Sequence, residues 1–186
     1  AETQLDRAVA IREKEQGKEH PDTLNSLNSL AAIYLDQGKH AEAESMHQKV
    51  IDIATRTLGP ENPYTLIWMT NLGNAYLEQG KYDKAETLYR QTLQIQNRVR
   101  GIDSPDTLMS KNNLGNALIG LGRYAEAESL HRQILDARRR ILGPDHPDVL
   151  NSLNNLAGAC LNQNKFVVAE DLLREVLEIE KRVLGP

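Results

Sequence analysis

The chain has 186 residues, of which 40% are hydrophobic and 4% aromatic, with a formal net charge of -4. That is enough aliphatic material for a continuous core, with no global drive toward nucleic acid or an anionic membrane. No apolar run approaches the roughly 20 residues of a bilayer span, and the charged opening AETQLDRAVAIREKE has no secretory apolar core. The single cysteine, Cys160, excludes an internal disulfide and fits a reducing, cytoplasmic setting.

The first element is an amphipathic helix over about residues 2–15, closed by Gly17. After it the text repeats every 42 residues: Pro21, Pro63, Pro105 and Pro147 keep that spacing, as do Gly17, Gly59, Gly101, Gly143 and Gly185. Self-similarity at a fixed period of this length marks an array of one supersecondary unit. Each proline opens a helix, here called A, with Asn62 or Ser104 offering an N-cap oxygen and Asp22, Asp106 or Asp148 an acid in the first turn. Helix A runs for about fifteen residues to Gly38, Gly80, Gly122 or, in the fourth unit, Asn164. A second amphipathic helix, B, follows; in the second unit Tyr82, Ala85, Leu88, Tyr89 and Leu93 carry its apolar face as far as Val99.

The register predicts nine helices in one all-α domain over 1–186: a half repeat 1–19 and full repeats 20–61, 62–103, 104–145 and 146–186. Gly73 and Gly115, with Ala31 and Ala157, are expected to let A and B approach closely, as are Ala43, Ala85, Ala127 and Ala169 in helix B. Glu44, Glu86, Glu128 and Glu170 recur once per unit, as architectural bonds between helices would. At the two ends, Leu172, Leu173, Val176 and Leu177 and, in the first helix, Leu5, Val9 and Ile11 form apolar stripes expected to self-associate weakly end to end. Arg138, Arg139 and Arg140, the one basic cluster, read as a solvated helix end.

The segment Met69-x-x-Leu72-Gly73-x-x-Tyr76, followed by Ala85-x-x-x-Tyr89, resembles the tetratricopeptide repeat. The period here is longer than the usual 34 residues of that family. It is similar instead to the longer repeats of kinesin light chains and their relatives, as are the text His146 to Ala157 and the run from Gly80 to Glu86. The resemblance implies a right-handed α-solenoid of antiparallel helix pairs with one face of the A helices lining a concave groove. It implies a protein-interaction module rather than an enzyme, with kinesin-light-chain-like adaptors and arms of larger signalling proteins as its two settings.

One face of helix A is rich in asparagine. Sixteen positions at i, i+3, i+4 and i+7 hold ten of the fourteen asparagines: Asn25, Asn28, Asn71, Asn74, Asn112, Asn113, Asn116, Asn151, Asn154 and Asn155. Asparagine is a mediocre helix former, so its concentration inside helices calls for a compensating role. A carboxamide has two donors and an acceptor at one tip, the complement of an extended peptide backbone. Asn28, Asn71, Asn74, Asn112, Asn113, Asn116, Asn151, Asn154 and Asn155, with Lys111 for an acidic ligand group, are therefore the candidate partner-binding residues. The competing use is a ladder of asparagines between neighbouring A helices. Lys111 replaces Leu27, Met69 and Leu153 and either anchors an acidic group or packs its stem and keeps its head in water. Trp68 reads as packing between repeats.

No catalytic constellation, cofactor motif or metal-ligand spacing is present. His20, His40, His47, His131 and His146 form no i, i+4 pair, and Cys160 replaces Tyr34, Tyr76 and Leu118 at an apolar position, where a thiol is inert. Two functions remain open. One is capture of a peptide segment of a partner protein in the groove; the other is a structural or regulatory arm making intramolecular or homotypic contacts.

Overall fold

The structure, a computed structural model, describes residues 2–184; Gly185 and Pro186 at the end of the register lie outside the described residues. Among the described residues are nine helices and no strand: α1 (Glu2–Glu15), α2 (Pro21–Asp36), α3 (His40–Thr57), α4 (Pro63–Glu78), α5 (Tyr82–Val99), α6 (Pro105–Gly120), α7 (Tyr124–Leu142), α8 (Pro147–Leu161) and α9 (Phe166–Leu184). This is the all-α repeat fold that the period predicts. The chain falls into two compact units, one through Val99 and one from Arg100. Within the first, α1 packs on α2, α2 on α3, α3 on α4 and α4 on α5; within the second, α6 packs on α7, α7 on α8 and α8 on α9.

Each A helix starts with proline in its first turn, where the missing N–H costs nothing. Asn62 Oδ1 accepts from the Tyr64 amide at 2.9 Å, and Ser104 Oγ from that of Thr107 at 3.3 Å. In the other two A helices the cap is an imidazole: Nδ1 of His20 and of His146 accepts from the amides of Asp22 and Asp148 at 3.2 and 3.1 Å. Those two histidines keep more than the proline and acid of the motif; they do the work of an Asn or Ser cap. At the A-to-B turn, Asn164 takes φ 59 where Gly38, Gly80 and Gly122 take 74, 70 and 73. Asparagine is the side chain best able to replace glycine in that left-handed conformation.

The small residues of helix A have the role read for them. A Cβ on Gly73 would stand 2.5 Å from Cε1 of Tyr89, and one on Gly115 would stand 2.6 Å from Cε1 and Nε2 of His131. In the second unit the core joins Leu135 of α7 to Val149, Leu153 and Leu156 of α8 and Val176 and Ile179 of α9. The apolar stripe expected along α9 is thereby divided. Val176 is buried and Leu172 packs against the core, while Leu173 and Leu177 are exposed. On α1, Val9 is buried and Ile11 exposed.

A clamp not visible in the local pattern repeats four times. An arginine near the end of helix B binds an acid 37 residues earlier, just before helix A: Arg56 with Glu19 at 2.6 Å, Arg98 with Glu61 at 2.5 Å, Arg140 with Asp103 at 2.5 Å, and Arg182 with Asp145. These pairs are open to water, so each contributes little. Arg98→Ala is expected to move the thermal midpoint by less than about 5 °C, measured by circular dichroism.

Candidate functional site

The asparagine face is divided between internal bonds and exposed carboxamides. In the first unit Asn71 Nδ2 donates to Asn28 Oδ1 at 3.4 Å, joining α4 to α2. The same pairing recurs in the second unit, where Asn155 Nδ2 donates to Asn112 Oδ1 at 2.7 Å and joins α8 to α6. Asn28 is buried, and Asn74 Oδ1 accepts from the Tyr89 hydroxyl at 2.6 Å. Asn113 is half-buried and engaged as well. Asn116, Asn151 and Asn154 are exposed. The second unit therefore sets three exposed carboxamides beside one fixed asparagine pair, with the side chain of Met109 half in solvent.

Lys111 is half-buried and its ammonium donates to the Ile102 carbonyl at 2.8 Å. The lysine that replaces an aliphatic residue thus ties the start of α6 to the segment before it. Trp68 is 1% exposed and stacks on Tyr64 with centroids 5.8 Å apart.

A charged network is built on two of the four recurring glutamates, Glu44 and Glu128, whereas the exposed Glu170 pairs with Arg174 on its own helix. Glu44 of α3 accepts from Lys81 Nζ at 2.6 Å, Lys84 Nζ at 2.8 Å and the Tyr76 hydroxyl at 3.1 Å, connecting three helices. The bond from Lys81, then that from Lys84, holds its carboxyl down at about 2 against the opposing effect of burial. Burial, with Glu44 next to it, pushes the Tyr76 phenol up to about 12. Glu128 repeats the arrangement with Lys165 at 2.6 Å, Gln163 at 2.8 Å and Arg132 at 3.1 Å, and it too is held at about 2, chiefly by Lys165. An open cleft of about 690 Å³ runs along α3 next to this network, lined by Ser45, Gln48, Asp52 and Tyr76. Its lining is mixed in charge and converges on no reacting centre.

The arginine cluster, expected as a solvated helix end, is one only at the exposed Arg140; Arg138 and Arg139 are half-buried and bonded to α8 and α9. Arg138 donates to the Asp148 carbonyl at 3.1 Å and Ser152 Oγ at 2.9 Å, Arg139 reaches Glu175 at 2.6 Å, and Arg140 makes the clamp to Asp103. Arg12 repeats the first arrangement with the Asp22 carbonyl and Ser26 Oγ. Cys160 is buried and its thiol is pushed up by burial and then by Glu128, the opposite of an activated nucleophile. No group of three or more potential metal ligands occurs among the described residues. No helix of the described residues is long and apolar enough to cross a membrane.

The sequence profile of the tetratricopeptide repeat matches residues 1–56, 27–98, 69–137 and 106–182. The chain belongs to the tetratricopeptide repeat family. Among solved structures, the nearly identical tetratricopeptide-like repeats described for a kinesin light chain of Podosopora anserina superpose with a TM-score of 0.86 at 30% identity, covering 98% of this chain and 86% of that one. A variant of the same protein gives 0.87 over the same shares. BtubC (BKLC) from P. vanneervenii gives 0.85 at 22% identity over 100% of this chain and 74% of that one, which speaks for the fold alone. No curated protein matches in sequence. Tetratricopeptide repeats are a fold of protein-interaction scaffolds and are generally not enzymes.

Proposed function

We propose that this tetratricopeptide array is a cytoplasmic adaptor that holds an extended peptide segment of a partner protein against the asparagine face of its A helices. The observation that carries the reading is the set of exposed carboxamides Asn116, Asn151 and Asn154 beside the Asn112–Asn155 bond in the second unit. The internal pair holds α6 against α8, and the exposed three present donors and acceptors of the kind that pair with a peptide backbone. Asn71 and Asn28 do the holding in the first unit, where Asn74 is engaged by Tyr89. Lys111 belongs to this site as a positioning residue that steadies the start of α6. The similarity to kinesin light chain repeats supports a protein partner.

A peptide array probed with the purified chain identifies binders, whose affinity is then read by fluorescence anisotropy. Asn116→Ala combined with Asn154→Ala is expected to weaken the best binder about tenfold to a hundredfold, each lost hydrogen bond contributing about 0.5–1.5 kcal/mol, with the circular dichroism spectrum unchanged. Unchanged affinity in the folded double variant refutes the groove. The exposed Phe166, Leu173 and Leu177 of α9 favour a second reading, an arm that contacts another domain or copy. An array without binders, together with concentration-dependent mass in light scattering that Leu177→Ser abolishes, would establish it.

A further inference from the structure

Each unit carries one buried histidine on a B helix, at the slot that Tyr89 and Leu173 occupy in the other two repeats. His47 of α3 is 2% exposed and His131 of α7 is 1% exposed. Nδ1 of His47 and both ring nitrogens of His131 have no hydrogen-bond partner. The imidazole of His131 lies so close under α6 that Gly115 has no room for a Cβ, the nearest ring atoms standing at 2.6 Å. Tyr89 fills the same slot without leaving a polar atom unsatisfied, because its hydroxyl reaches Asn74. A buried imidazole with unused nitrogens contributes little that a tyrosine or leucine would not, and it is the one residue type in that slot that takes up a proton below neutral pH.

We propose that His47 and His131 make each unit acid-labile, so that proton uptake by these two imidazoles releases the helix crossings α2/α3 and α6/α7. The charge has nowhere to go while the crossing is closed. A second proton on either ring creates an imidazolium in an apolar contact without an acceptor, and the ring reaches water only when helix B lifts from helix A. Burial pushes both groups down to about 4. For His131 the Arg138 guanidinium two turns along α7 adds repulsion, and Arg138 is itself pinned to α8 by the Asp148 carbonyl and Ser152. No charged group on α6 or α8 offsets this for His131, and burial alone acts on His47.

The direction follows from linkage. An unfolded histidine takes up its proton near 6.5 and these folded ones near 4. The folded state is therefore fully favoured above 6.5 and loses ground as pH falls toward 4. At pH 5 each histidine multiplies the unfolding equilibrium constant about 20-fold relative to neutral pH. Glu44 and Glu128, ordinarily at 4.5 and held at about 2, lose their contribution only below that range. The histidines thus own the window between pH 6.5 and 4.5.

The test combines thermal melts of the full chain from pH 7.5 to 4.5 with NMR titration of the histidine ring protons. The replacements come from the chain itself: His131→Tyr follows Tyr89 over Gly73, with Asn116 in the place of Asn74, and His47→Leu follows Leu173 over Ala157. The wild-type midpoint is expected to fall by about 10 °C or more between pH 7 and 5. In the double variant the fall should shrink to less than half. An equal fall in the double variant overturns the proposal, and so does a flat wild-type midpoint. If the double variant does not fold, the titration decides alone: rings of His47 and His131 that titrate near 6.5 in the folded chain overturn it, and rings that stay neutral until structure is lost uphold it.

Discussion

Gly115→Leu is expected to unfold or loosen the second unit, and His131→Ala is expected to rescue it. The glycine sits where helix A meets helix B, with His131 ring atoms 2.6 Å from the position of any Cβ. The ring lies in the core and cannot swing into solvent, so even an alanine must push α6 and α7 apart. Overpacking of this kind costs about 1–3 kcal/mol and more for a branched side chain. Removing the imidazole clears that volume, so a side chain at 115 should cost much less in the His131→Ala background than in the wild type, read by urea denaturation as a coupling in a double-mutant cycle. Gly158 is the internal control. Nothing lies within 4 Å of its Cβ position, and Gly158→Ala should stabilise by about 0.5–1 kcal/mol because it restricts the unfolded chain and favours helix. Equal effects at 115 and 158 would mean that the close crossing is not what selects glycine. The neighbouring α8 should lose protection soon after α6 and α7, since repeat stability is a nearest-neighbour sum.

Trp68→Ser is expected to be the most damaging single truncation in the first unit, at about 3–5 kcal/mol. Trp68 is fully buried and takes the position that Ser26, Ser110 and Ser152 hold elsewhere in the register, and two of these serines have an arginine partner. Fourteen residues before Ser26 and Ser152 stand Arg12 and Arg138, each bonded to its serine; fourteen before Trp68 stands Ala54. In these three repeats the slot is filled either by a long arginine with a small serine or by a small alanine with a large indole; in the remaining one Gln96 stands fourteen residues before Ser110. Ala54→Arg added to Trp68→Ser should therefore recover a good part of the loss, because it rebuilds the arginine–serine pair of the first and fourth repeats. The thermal midpoint measures this directly. A double variant no more stable than Trp68→Ser alone would show that the two positions do not share one space.

The exchange between Trp68 with Ala54 and Ser152 with Arg138 shows what a repeat allows a reader to see. A residue can be compared with its equivalents three times within one chain, so size changes at one position point to their compensation at another. That comparison marked Gly73 and Gly115 as close crossings in advance, and the structure supplied Tyr89 and His131 as what they meet. It did not find the arginine–serine pair, because Arg138 stands in a run of three arginines that looks like a solvated helix end. Each of the three in fact turns to a different partner on a different element.

What the sequence determines by itself is local and periodic. Proline in the first turn, glycine or Asn164 in the left-handed turn, and the three-four apolar spacing act within one or two helical turns, and so the helix order and the repeat boundaries follow from them. The family follows too, since its marks sit at fixed offsets within a unit. Tertiary structure decides which polar side chains meet. Asn112 and Asn155 are 43 residues apart, Arg140 and Asp103 are 37 apart, and Lys111 turns back to the Ile102 carbonyl. Whether an asparagine spends its carboxamide on a neighbouring helix or leaves it for a ligand depends on the distance between two A helices. That distance is set by the side chains packed beneath them, and no pattern along one helix contains it.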